Sequence, residues 1–265
     1  MQNKIKRIAV FCSGGDAPGM NAAIRAVVRN ATYRGLHIFG ILRGYEGMID
    51  GNINRLETKD VGNIIHRGGT VLKTARSKAF MTKSGRKKAY ESLVAHDIDA
   101  CIAIGGNGTL TGAQIFSKEY PIPMIGIPGT IDNDLFGSDY TIGFDTAINT
   151  AVEAVDKIRD TADSHNRLFF VEVMGRHSGF IALSTGIGSG SASVLIPEKE
   201  TRISDLIKML KKGSKRKKLF SLVIVAEGHH EGGAVEIAKK VNKDFDHYDT
   251  KVAIIGHLQR GGSPT

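Results

Sequence analysis

The sequence predicts an α/β protein: two stacked three-layer αβα domains with mainly parallel sheets. Short apolar runs alternate with amphipathic helical patterns from end to end. That rhythm suits a parallel sheet covered by helices on both faces. Glycine clusters fall where the apolar runs end, the side on which open α/β sheets bind ligands. At 265 residues the chain is long for one small domain and suits one large α/β unit or two domains.

The elements follow in order. "RIAVFCSGG" reads as a buried strand closed by glycines. "MNAAIRAVVRNATYRG" is a helix with Ile24, Val27 and Val28 on one face and Gly35 as its stop. Next come strand "LHIFGILRG", helix "RKKAYESLVAHD", strand "DACIAIGGNG", helix "TLTGAQIFSK" and strand "IPMIGIPG". A long helix, "DTAINTAVEAVDKIRDTADSH", opens the second half. Ile148, Val152, Val155 and Ile158 form its stripe, and Asp145 or Thr146 caps its start. Strand "RLFFVEVMG", helix "SGFIALSTG", strand "ASVLIPE" and helix "ISDLIKMLKK" continue the rhythm. Strand "LFSLVIVAEG", helix "GAVEIAKKV" and strand "KVAIIGHLQRGG" complete it, and the seam between halves falls near residues 137–146.

Composition narrows the function. A net charge of +9 attracts anions: phosphates, nucleotides or nucleic acid. Much of the excess sits in "KKGSKRKK", residues 211–218, a solvated helix end or an anion site. No aromatic residue interleaves these charges, which argues against nucleic-acid contact. Cys12 and Cys101 lie in or beside apolar runs and read as reduced, buried thiols. The apolar part of "MQNKIKRIAVFCSGG" is too short for a signal sequence, and no segment reaches the ~18 apolar residues of a membrane span. A soluble cytoplasmic protein is expected.

Several stretches carry chemistry. In "SGGDAPGMN", Gly14 and Gly15 end a strand just before a helix. Glycines let backbone N–H groups approach a phosphate, and a helix N-terminus favours negative charge. Taken alone, the stretch has a tight strand-to-helix turn as its alternative reading. "AIGGNGTLTGA" repeats the logic with Gly105, Gly106 and Gly108. There is no GxGxxG and no GxxxxGK[ST], so neither a dinucleotide fingerprint nor a P-loop is present. In "IPGTIDND", Asp132 and Asp134 follow a strand end. Such a pair repels itself unless a cation or a proton transfer uses it. One carboxylate suits proton abstraction from a hydroxyl and the other Mg²⁺, directly or through water; a capped turn is the alternative. Arg76, Arg167, Arg176, Lys251, His257 and Arg260 form a basic set, with Arg176 and Arg260 beside glycines. Arginine there suits a phosphate or the charge on a transferring phosphoryl group, or else a surface ion pair. Glu227 ends an apolar run, where a carboxylate accepts hydroxyl hydrogen bonds. Together these residues read as Mg²⁺-dependent phosphoryl transfer from a nucleotide to a small hydroxylated, phosphorylated acceptor. The acidic loop is expected to face both glycine turns.

"GGDAPGMNAAIR", "GGNG", "PGTIDND", "YTIGFDTA", "VEVMGRHSG" and "GHLQRGGSP" together resemble bacterial-type, ATP-dependent 6-phosphofructokinases, from residue 5 to the last. The resemblance implies a glycolytic, allosteric homotetramer that phosphorylates fructose 6-phosphate at its 1-hydroxyl. It implies an ATP-binding domain over 1–143, rejoined by 259–265, and a fructose-6-phosphate domain over 144–258. By the same resemblance Asp132 is the general base, Thr130 sits beside it, and Gly15 and Arg176 stabilise the transferring group. Gly14, Gly15, Arg76, Gly106, Asn107, Gly108 and Thr109 are similar to the ATP site. Thr130, Asp132, Met174, Gly175, Arg176, Glu227, His257 and Arg260 resemble the sugar-phosphate pocket, with Arg167 and Lys251 reaching in from a neighbouring subunit. Asn107 and Asp134 correspond to the metal position, and Arg25, Arg29, Arg159, Arg216 and Lys218 to the effector site.

Departures from the family pattern sharpen the expectations. Pyrophosphate-using relatives carry Asp and Lys where this chain has Gly108 and Gly129, so small residues there favour ATP. Asn107 replaces the metal-binding aspartate of "GGDG", which lowers metal affinity and leaves a weakly active regulatory paralogue as the alternative. Lys251 replaces an arginine and loses its bidentate fork. Ala192 and Phe220 replace a glutamate and a histidine of the effector site, which puts classical ADP activation in question. Lipid and dinucleotide kinases share glycine-rich "GGDG" loops but have no need of Arg167, Arg176, His257 and Arg260. Relatives continue past "GGSP" into further helices over the first domain, so a chain stopping at Thr265 is expected to expose apolar surface.

Overall fold

A computed structural model describes residues 5–216 and 220–265. Two compact units form, each built on a mainly or wholly parallel sheet flanked by helices. The first holds the described residues up to Thr130, then Leu135–Gly143 and Arg260–Thr265. The second holds Ile131–Asp134 and the described part of Phe144–Gln259. Residues 131–134 and 259 therefore pack with the second unit, although the sequence reading groups them with the first.

In the first unit β1 (Arg7–Cys12), β2 (His37–Ile41), β3 (Ile53–Arg55), β4 (Ala100–Gly105) and β5 (Met124–Pro128) lie in the order β3-β2-β1-β4-β5. β1 pairs in parallel with β2 and β4, Val10 lying opposite Gly40 and Ile102. β4 pairs in parallel with β5, and β3 alone in this sheet is antiparallel. The strand order reverses between β1 and β4. Loops leaving the carboxyl ends of those neighbours diverge and open a crevice. Both glycine turns leave from there.

The helices of this unit follow their apolar periodicity. In α1 (Met20–Tyr33), Ile24, Val28 and Ala31 are buried while Arg29 and Asn30 are exposed. α3 (Lys83–Ala95) starts at Thr82, whose hydroxyl accepts the Gly85 N–H. α4 (Asn107–Glu119) follows β4 directly. α2 (Gly44–Asp50) and β3 were not expected from the sequence. α2 contains glycines and is bounded by Arg43 and Gly51, both left-handed. The core gathers Phe11, Phe39, Tyr45, Met48, Phe80, Leu93 and Phe116.

In the second unit β6 (Arg167–Val173), β7 (Ser193–Leu195), β8 (Ser221–Ala226) and β9 (Asp249–Ile254) are parallel, in the order β7-β8-β6-β9. α5 (Phe144–Asp163), α6 (Phe180–Gly188), α7 (Ile203–Lys215) and α8 (Ala234–Asn242) accompany them. Leu168, Phe170, Val223, Leu206, Ile237 and Val241 centre its core. The last strand is shorter than the run "KVAIIGHLQRGG" suggests. It stops at Ile254, and a 3-10 turn over Gly256–Arg260 follows, opened by Gly256 at φ 54°. No described helix is long and apolar enough to cross a membrane.

Candidate active site

In the first unit the two glycine turns are joined through backbone and hydroxyl groups. Ser13 N–H donates to the Ile104 carbonyl at 3.1 Å, and Thr109 Oγ1 donates to the Ser13 carbonyl at 2.8 Å. Gly105 lies in this junction. A Cβ there would come within 2.4 Å of Thr109 Oγ1 and 2.6 Å of the Ser13 carbonyl oxygen. Thr109 is thus a buried strut between the turns. Asn107 and Gly108 open α4 in exposed positions. No acidic residue occupies the first turn of α4, so its N-terminal field is left for an anion.

The segment carrying Arg76 runs alongside. Gly14 N–H donates to the Ala75 carbonyl at 3.5 Å, and Thr74 Oγ1 donates to the Gly14 carbonyl at 2.8 Å. Arg76 itself is exposed. Arg260 reaches the same turn, its guanidinium nitrogen 2.6 Å from Asp16 Oδ1 and close over Gly15. So the structure places Arg260 against the first glycine turn as an ion pair. Thr130, after β5, lies beside Gly106, and its carbonyl accepts the Thr141 hydroxyl at 2.6 Å.

A side chain at Gly108 would point into open space. At Gly129 a Cβ would meet Ile104 at 3.1 Å and Met20 at 3.2 Å. Packing as well as ligand room calls for glycine there.

In the second unit the acidic loop is anchored by its main chain. Asp132 is buried and Asp134 exposed, and Ser178 Oγ donates to the Asp132 carbonyl at 3.1 Å. Ser178 belongs to the loop after β6, which also carries Met174, Gly175 and Arg176. Glu227, at the end of β8, accepts the Gly175 and Arg176 N–H groups at 3.2 and 2.7 Å on one oxygen. Gly175 has φ 142° and a Cβ there would lie 2.5 Å from the Ser178 carbonyl, so only glycine fits. Arg176 itself is left-handed at φ 54°, an uncommon conformation held by its surroundings. Its side chain is exposed, as is that of His257.

Arg167 and Lys251 lie on adjacent strands and share Asp249, at 3.3 and 2.9 Å. Lys251 first, and then Arg167, lower the pKa of that carboxyl. The expected effector residues are divided between the units. Arg25, bonded to the Val61 carbonyl at 2.8 Å, and Arg29 lie on α1. Arg159 is on α5 and Arg216 ends α7; Lys218 lies outside the described residues.

Sequence reasoning missed several supports of this geometry. Tyr45 on α2 donates its hydroxyl to the Thr109 carbonyl at 2.6 Å and stacks on Phe80 at 3.8 Å. Asp16, Thr74, Ser178 and Gln259 were also unassigned, although Asp16, Ser178 and Gln259 lie inside the quoted motifs. Such motifs mark a site without saying which members touch ligand and which hold backbone.

The sequence pattern of the family described as "Phosphofructokinase" matches residues 7–265. The chain belongs to the phosphofructokinase family. Among its relatives, "ATP-dependent 6-phosphofructokinase 2" of Bacteroides thetaiotaomicron is 55% identical over 261 residues, 98% of this chain and 80% of that protein. The solved phosphofructokinase of Saccharomyces cerevisiae superposes with a TM-score of 0.92 at 38% identity, over 98% of this chain. This phosphofructokinase-family chain spans 39% of the yeast chain's length. A pyrophosphate-dependent phosphofructokinase from Marinobacter aquaeolei matches at 26% identity and a TM-score of 0.82, over 97% of this chain and 69% of that one.

Proposed function

We propose that this chain transfers the γ-phosphoryl group of ATP to the 1-hydroxyl of fructose 6-phosphate, yielding fructose 1,6-bisphosphate as a step of glycolysis. The observation that carries the reading is 55% identity, over 98% of the chain, to a protein named ATP-dependent 6-phosphofructokinase. The pyrophosphate-dependent relative stands at 26%, and the open space at Gly108 suits a nucleotide.

The first unit receives ATP through Gly14, Gly15, Arg76 and the start of α4 at Gly106–Thr109. The second receives the sugar phosphate through Met174, Gly175, Arg176, Glu227 and His257. Asp132 takes the proton of the attacking hydroxyl, which a carboxylate does when positioned at the reacting oxygen. Arg176 and the Gly15 amide meet the charge that spreads over the transferring group. Asn107 and Asp134 are exposed oxygen donors, and no cluster of three His, Cys, Asp or Glu able to cage a metal occurs among the described residues. Either oxygen suits Mg²⁺, which binds through one or two side chains plus substrate phosphates and keeps its waters. Bound there, Mg²⁺ neutralises phosphate charge. Arg167 and Lys251 serve a neighbouring copy's pocket in a homotetramer, and the effector set responds to a phosphorylated ligand. ATP and sugar phosphate supply place the protein in the cytoplasm.

Coupled turnover of fructose 6-phosphate with ATP and Mg²⁺ tests the reading. Absence of fructose 1,6-bisphosphate with either Mg²⁺ or Mn²⁺ would overturn it.

A further inference from the structure

We infer that Gln259 is a positioning residue for the sugar phosphate: its buried amide sets the shape of the Met174–Arg176 turn. The inference rests on the reaction proposed above. Gln259 is 0% exposed, between exposed Leu258 and half-buried Arg260. Its Oε1 accepts the Met174 N–H at 2.9 Å, and its Nε2 donates to the Ala147 carbonyl at 3.4 Å. One side chain thereby joins the loop after β6, the first turns of α5 and the Gly256–Arg260 turn.

The loop needs such a tether. The N–H groups of Met174, Gly175 and Arg176 are bonded by side chains, Gln259 for the first and Glu227 for the next two. β6 ends at Val173, so the sheet no longer dictates the path. The turn then takes two positive φ angles in succession. A backbone in sparsely populated conformations persists only where its surroundings over-determine it. Glu227 fixes one end of this turn and Gln259 the other. Gln259 also lies two residues after His257, so the same amide registers the turn bearing His257 against the turn bearing Arg176. Both side chains are proposed to hold one phosphorylated sugar, and a small misplacement of a binding group is costly.

The test uses the full chain with Gln259→Met, which fills the volume and removes both hydrogen bonds, and Gln259→Asn, which is too short to span both partners. Thr185→Val, a fully buried site elsewhere in the same unit, controls for general loosening. The expected result for both Gln259 variants is a KM for fructose 6-phosphate raised about tenfold. The KM for ATP stays unchanged and kcat stays within about threefold, since only sugar-phosphate binding is affected. Amide hydrogen exchange at 174–176 quickens while the body of β6 stays protected. An unchanged KM for the sugar phosphate overturns the inference. So does an equal loss for both substrates, which would mark a purely structural role. Should the unsubstituted chain fail to phosphorylate fructose 6-phosphate, the reaction assignment falls. The exchange measurement still decides the tether then, and unchanged exchange at 174–176 in Gln259→Met overturns it.

Discussion

Asp132 combines a buried position with a main-chain anchor at Ser178, the properties of a group that must point one way. Asp132→Asn keeps the shape and removes the proposed proton acceptor. Its kcat should fall by about 10²–10⁴, with the KM for fructose 6-phosphate changed only a few-fold, as steady-state kinetics would show. Asn107 is the opposite case, an exposed amide at the first position of α4. Asn107→Asp adds a charged oxygen, so the Mg²⁺ concentration for half-maximal rate should drop severalfold in a metal titration. Both residues stood out as candidates in the sequence because side-chain chemistry advertises itself. Thr109 shows the limit. Its place in "GGNGT" suggested a ligand contact and gave no sign that its hydroxyl also braces the Ser13 carbonyl. Which way a hydroxyl turns is decided by packing that comes from far along the chain.

Among elements, the long periodic ones were readable and the short ones were not. α1, α5 and the buried strands show their periods because burial imposes them. α2 has seven residues, too few for a period to emerge, and glycine weakens it further. Its stability comes from contact, above all Tyr45 on Phe80 and on the Thr109 carbonyl. Burial raises the pKa of that phenol, which therefore stays a hydrogen-bond donor. Tyr45→Phe keeps the ring and takes away the side-chain donor at the Thr109 carbonyl. A loss of about 1 kcal/mol in denaturant unfolding is expected, together with a higher KM for ATP, because that carbonyl lies in the first turn of α4.

At the scale of the molecule the twofold βα architecture was foreseen, but the course of the chain between the halves was not. Residues 131–134 read as the tail of one half and pack with the other. Local pattern carries no trace of that, since a short loop has the same composition on either side. A second whole-molecule property is acid sensitivity. His229 is buried, and its pKa is lowered by that burial first and by His230 next. A histidine whose folded pKa lies below its unfolded value of about 6.5 binds protons more readily when unfolded. Its contribution to stability is therefore whole above about pH 6.5 and declines as pH falls from there toward the lowered folded value. Denaturation midpoints across this window should slope downward toward acid, and His229→Gln should flatten part of that slope.

The grouping of Ile131–Asp134 with the second unit has one more consequence. If the reaction is as proposed, the proton acceptor rides on the frame that carries the sugar, bolted to it through Ser178. Deprotonation geometry is then set before any nucleotide arrives. Changes on the nucleotide side should alter how often transfer succeeds, while the bond between carboxylate and hydroxyl keeps its alignment.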